Sequence, residues 1–228
     1  MNHASLAVSP TKKTAQVIGA IYIAGFFFGI LGALLSARPE TAPSAHQALM
    51  IGIGACLWIL AALGDFAHGV LMFPILKQHS ERFALAYFGT RTLQSGLIIL
   101  FALLLLLQIP ITKQLAVGAV QSSLPIHFIS ALCFDAQNYV YHMGMAVLGI
   151  AGALLCFCAL QASLLPRKLA MWGLVGYLIF FGGSILEILR VELHLIHTIV
   201  GGVWEVTMGI WLICIGFNAS VVKPKDVA

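Results

Sequence analysis

Along the 228-residue chain, polar side chains gather in short clusters between long apolar stretches. A helix needs about 20 apolar residues to cross the hydrocarbon core of a bilayer. Six stretches meet that length, at residues 15–35, 49–76, 83–109, 139–162, 169–189 and 193–217, and the third holds the unbroken apolar run 97–107. Pro74, Pro110 and Pro166 fall at their ends, where a helix can stop without losing an interior hydrogen bond. Gly25 with Gly29, Gly149 with Gly152, and Gly173 with Gly176 lie inside them, and such pairs let helices approach closely in lipid. The connection 110–138 is the long one. Its middle, 115–134, is too polar to span but carries apolar residues throughout, which suits a re-entrant or interfacial segment. The pattern therefore predicts an all-α fold, a polytopic membrane bundle of six transmembrane helices with an interfacial or re-entrant segment between the third and fourth. One membrane domain over 15–219 is expected between short tails at 1–14 and 220–228.

Composition sharpens this. Hydrophobic residues make up 61% and charged residues 9% of the chain, too few charges to cover a water-soluble surface. That excludes a soluble globular domain, a disordered chain and a nucleic-acid binder with a basic face. Four of the five cysteines lie inside apolar runs and read as small buried hydrophobes, and Cys156 and Cys158 point to different faces of a helix. Lys12 and Lys13 precede the first span, but its apolar run exceeds the usual signal-peptide core and no cleavage pattern follows at Ser36, so it is expected to remain as a helix. Counted by alternate loops, one side carries Lys12, Lys13, Lys77, Arg82, Arg167, Lys168, Lys223 and Lys225, and the other Arg38, Lys113 and Arg190. The bias predicts a bacterial cytoplasmic (inner) membrane location with both termini in the cytoplasm. No internal repeat relates the two halves, as an inverted-repeat transporter would show.

The charged residues inside the spans are the candidate chemistry. Each costs at least about 2.5–3.5 kcal/mol at the bilayer centre and must be compensated. Asp65 and Arg91 fall at similar depth on consecutive antiparallel spans, so an ion pair accounts for both, and His68 lies one turn from Asp65 on the same face. A second cluster is expected toward the far side, where His194, His197, Gly201, Glu205 and Met208 recur on one helical face and Glu187 and Arg190 are one turn apart. Asp135, Asn138, His142 and Met145 make a further stripe. Should these faces converge, His142, His194, His197 and Glu187 form a ligand set for a divalent metal such as zinc. The alternative is that the histidines are ordinary interfacial polar residues and that Glu187 pairs with Arg190. No H-E-x-x-H, G-x-S-x-G or phosphate-cradling glycine loop is present. A haem shared by His68 and His142 is disfavoured, because they fall at opposite depths.

The stretches Pro74-Ile-Leu-Lys77 to Gly89-Thr-Arg91, Leu165-Pro-Arg167 with Trp172-Gly-Leu-Val-Gly176, and Trp204-Glu205 through Trp211 to Asn218 resemble a bacterial membrane family known as domain of unknown function 4386. The likeness runs from residue 11 to 218 and implies that Arg91, Pro166, Arg167 and Glu205 are the positions matching the family, with Asp65 shared by some members. The four histidines lie outside that pattern. The resemblance implies a topology and no known activity. Two functions fit the residues. One is a bundle that binds or senses a small or lipid-like ligand, or a small transporter. The other is an intramembrane enzyme on a lipid-like substrate, with Glu205 as catalytic acid or base and a metal on the histidines. Membrane lipid and a small or apolar ligand are the expected partners, and nucleic acid is not.

Overall fold

The computed structural model describes residues 12–36, 45–116, 123–194 and 196–218, with side chains for all of these except 112–116 and 123–127. Residues 1–11 and 220–228 of the expected tails lie outside the described residues, as do Arg38 and the side chain of Lys113.

Six helices follow in order: α1 (Lys12–Leu35), α2 (Ala45–Lys77), α3 (Glu81–Ala116), α4 (Ser123–Gln161), α5 (Arg167–Ile188) and α6 (Ile196–Cys214). No strand occurs among the described residues. All six helices contain a window long and apolar enough to cross a membrane, and the chain is a multi-pass membrane protein. The shortest, α6, has 19 residues, or about 28 Å of rise against a hydrocarbon core of about 30 Å.

Pro74 lies inside α2 as it does inside the predicted span, whereas α3 outruns its predicted end at 109. α2 continues past Pro74 to Lys77, and α3 past Pro110 to Ala116. Near a helix end a proline removes only its own N–H, and the last turn can persist beyond it. Pro166 does mark a boundary. It caps α5, where no N–H is needed, and its carbonyl accepts from the Ala170 N–H at 3.0 Å. Residues 123–134, expected to be a separate segment, are the first turns of α4.

Each helix packs on its chain neighbours, and α6 returns to pack on α1, so the six close into a ring. Ring closure depends on glycine: a Cβ on Gly19 would stand 2.5 Å from the Gly209 carbonyl oxygen. The half of the ring nearer the chain termini is filled by fully buried side chains, among them Ile18, Met72, Tyr87, Tyr177 and Trp204. The Trp204 indole donates to the Leu169 carbonyl at 2.8 Å, tying α6 to α5. Beyond α6, the Asn218 N–H reaches the Leu164 carbonyl at 3.1 Å and fixes the chain on the α4–α5 turn. All five cysteines are free.

Candidate functional site

The charged residues meet at mid-depth, above this packed half. Asp65 stands about 12 residues before the end of α2 and Arg91 about ten after the start of α3, which sets both some 15–18 Å from the same end of the bundle. Arg91 Nη2 donates to Asp65 Oδ1, forming the expected ion pair. Gln94 Nε2 donates to Asp65 Oδ2 at 2.6 Å, so both carboxylate oxygens are taken by α3. Gln94 follows Arg91 by three residues and so shares its helical face. That spacing was the signal by which sequence alone could have found it.

His68, expected beside the carboxylate, turns elsewhere. Its Nδ1 lies 2.6 Å from the Tyr87 hydroxyl, and its ring packs edge-on against Tyr22 with centroids 4.4 Å apart. Glu205 occupies the midpoint of α6, nine residues from either end, and Tyr177 of α5 donates to its Oε1 at 2.8 Å. Thus the floor draws Asp65 and His68 from α2, Arg91 and Gln94 from α3, and Glu205 from α6.

Above this floor lies a cavity of about 270 Å³ to which all six helices contribute. Its walls are apolar and aromatic: Phe26 on α1, Trp58 on α2, Tyr141 and Met145 on α4, and Phe180 on α5. The floor is not satisfied by the protein. His68, Arg91 and Gln94 are 0%, 3% and 1% exposed, yet His68 Nε2, Arg91 Nε and Gln94 Oε1 have no hydrogen-bond partner. Trp58, on the wall, adds a fourth in its Nε1. Leaving one buried polar atom unmet costs about 1–3 kcal/mol, so four on residues lining one cavity favour a polar ligand there.

The histidine cluster at the end far from the termini is only partly assembled. His142 and His197 face each other with ring centroids 6.5 Å apart, and Ser184 Oγ lies 3.5 Å from His197 Nε2. His197 is packed into α5, since a Cβ on Gly183 would overlap its ring. His194 does not join them. It precedes α6, adopts a left-handed backbone (φ 48°), and is exposed beside Glu192 at 3.9 Å. The helical-face argument fails for it because the helix starts two residues later, at Ile196. Glu187 accepts from the Leu193 N–H at 2.9 Å and so closes the α5–α6 turn. Nor does it pair with Arg190. That residue also lies past a helix end in the left-handed region (φ 65°), and its guanidinium reaches Asp135 at 3.3 Å and the Tyr139 hydroxyl at 2.8 Å, both on α4. Among the described residues no three His, Cys, Asp or Glu side chains come together as a metal site. The set His142, His194, His197 and Glu187 is therefore not one centre, and only Glu205 of that far cluster reaches the cavity.

A groove of about 800 Å³ at the termini end, running from Leu160 to Arg167 and along Trp211 to Asn218, is less suited to a ligand. Its polar side chains are Gln161, Ser163, Arg167 and Asn218, the last already spent on the Ser163 and Leu164 carbonyls. It lies at the end of the bundle, away from the buried unpartnered atoms at mid-depth. A family model described as Domain of unknown function (DUF4386) matches residues 17–216. No curated protein and no solved structure matches the chain.

Proposed function

The chain belongs to the DUF4386 family, whose description carries no activity, so we propose from the site itself that it is a membrane bundle binding a small, lipid-like molecule in its central cavity. One observation carries this reading: four side chains that each hold a buried polar atom without a partner in the protein, Trp58, His68, Arg91 and Gln94, line a single cavity. A pocket that is mostly apolar with a few convergent polar groups is the ordinary form of a small-molecule site, and such sites run from about 300 to 1,000 Å³. At about 270 Å³ the cavity holds a head group or a compact molecule, not a whole two-chain lipid. In this reading Arg91, Gln94 and His68 hold the polar end of the ligand, and Glu205, steadied by Tyr177, faces it across the cavity. The bundle sits in the bacterial inner membrane with both termini in the cytoplasm, a placement supported by the Lys and Arg asymmetry.

The test is to purify the full-length protein in mild detergent and extract it for mass spectrometry. A small molecule at close to one per chain is expected. Adding it back to delipidated protein should raise the melting temperature, because a ligand at 100 times its Kd contributes about 2.7 kcal/mol. Delipidated protein that holds no stoichiometric molecule, and whose melting no lipid in a broad panel shifts, would remove this reading.

A further inference from the structure

Helix α1 touches different neighbours at its two ends. Near the termini it lies on α6, where Gly19 and Gly209 meet backbone to backbone. At the opposite end it lies on α2, where a Cβ on Gly54 would stand 2.8 Å from the Gly32 carbonyl oxygen. The helix therefore leans away from α6 as it crosses. Between these two contacts, a Cβ on Gly25 would meet nothing within 4 Å, and one on Gly29 would meet only the Trp58 ring at 3.8 Å. Gly25 and Gly29 border the cavity, as do Thr198 and Gly202 on α6. The Phe26 ring crosses the gap, its Cε2 3.2 Å from where a Cβ on Gly202 would be. On either side the helices present bare apolar side chains, with Phe27 and Leu31 on α1 and Ile199 and Val203 on α6 between 46% and 59% exposed.

The floor also constrains the head group. Arg91 Nε–H can only donate. Gln94 Oε1 can only accept, because the amide nitrogen is committed to Asp65. An anionic head would meet the Arg91 donor but would also face the Asp65 and Glu205 carboxyls. A cationic head would gain from those carboxyls and meet Gln94 Oε1, but it has no acceptor for the Arg91 Nε–H and would face the guanidinium charge. One hydroxyl accepts from the first and donates to the second.

Resting on the binding reading above, we propose that the ligand is a neutral amphipath with a hydroxylated head, and that it enters sideways from the bilayer between α1 and α6. The head lies on Arg91 and Gln94, the apolar chain passes Phe26, and Gly25 and Gly29 leave the passage open.

The experiment uses full-length protein in lipid nanodiscs and a 1-acylglycerol probe carrying a diazirine in its chain. After irradiation, labelled peptides are located by mass spectrometry. Saturable labelling is expected on α1 and α6 around Gly25 to Ile30 and Thr198 to Val203. Unlabelled 1-decanoylglycerol should compete, whereas decanoate and decyltrimethylammonium should not. Gly25→Leu, which places a side chain in the open gap, should cut labelling about tenfold, equivalent to about 1.4 kcal/mol. Gly89→Leu, at an equally open but outward-facing glycine, should leave it unchanged. If Gly25→Leu does not fold, Phe26→Ala tests the same passage and should speed labelling. Competition by the charged amphiphiles instead of the neutral one overturns the head assignment and leaves the binding reading standing. Labels on another seam, or labelling indifferent to Gly25→Leu and Phe26→Ala, overturn the lateral entry. An absence of saturable labelling removes both this proposal and the binding reading.

Discussion

Asp65 is the residue on which the polar floor turns, since it accepts from both Arg91 and Gln94. Removing one member of a buried ion pair leaves the other uncompensated and typically costs about 3–5 kcal/mol. Asp65→Asn and Arg91→Gln are each expected to destabilise the protein by about 3 kcal/mol, and the double variant to recover part of that loss. A melting cycle in detergent checks this, and strictly additive losses would mean that the two residues answer to other partners. Glu205 behaves differently. Glu205→Gln keeps an oxygen that accepts from Tyr177, so its melting should stay within about 1 kcal/mol of the parent while retention of the bound molecule falls. Wild-type retention with the amide would make Glu205 a packing residue. The Asp65–Arg91 pair was legible in the sequence because intramembrane charges are costly and their depths can be counted. Tyr22, Tyr177 and Trp58 were not, because uncharged aromatic side chains stand out little from an apolar span, and Gln94 was legible only through its spacing from Arg91.

Between helices, the same residue type does two opposite jobs. A Cβ on Gly152 would overlap the Tyr177 ring, and one on Gly183 the His197 ring, so both glycines let α4 and α6 seat against α5. Gly25 has open space around it. Alanine at Gly152 or Gly183 is therefore expected to destabilise the protein by about 1–3 kcal/mol through overpacking. Alanine at Gly25 should be neutral or stabilising by up to about 1 kcal/mol, because alanine is the better helix former. Thermal melting of the three variants decides, and equal losses at all three would show that Gly25 is also a packing contact. Sequence spacing paired Gly25 with Gly29 as it did Gly149 with Gly152, because the pattern carries no information about which helix stands opposite. Element ends were hidden for a related reason. His194 and Arg190 lie on turns with left-handed backbones, where offsets of three and four no longer describe a face. The first turns of α4 include Ser123, Pro125, His127 and Ser130, too polar to read as part of a span, yet the helix satisfies its own backbone regardless of hydropathy.

At the scale of the molecule, an even number of crossings joined by short turns brings both ends of the chain to one side. The starts of α1, α3 and α5 and the ends of α2, α4 and α6 share that side. It carries Lys12, Lys13, Lys77, Arg82, Arg167 and Lys168, whereas the other side, among residues with described side chains, carries Arg190, already bound to Asp135. Positive residues close to span ends resist translocation, and acidic partners such as Glu81 beside Lys77 weaken that bias little. The asymmetry is the support for the orientation proposed above, under which the cavity lies in the half of the bundle away from the cytoplasm. Alkaline phosphatase, which is active only outside the cytoplasm, should be silent when fused after Ala228 and active when fused after Glu192 in the α5–α6 turn. Activity after Ala228 would invert the bundle, turning the passage between α1 and α6 toward the inner leaflet. Equal activity at both sites would mean that α6 does not cross, and the ring closure through Gly19 and Gly209 could not then form in the membrane.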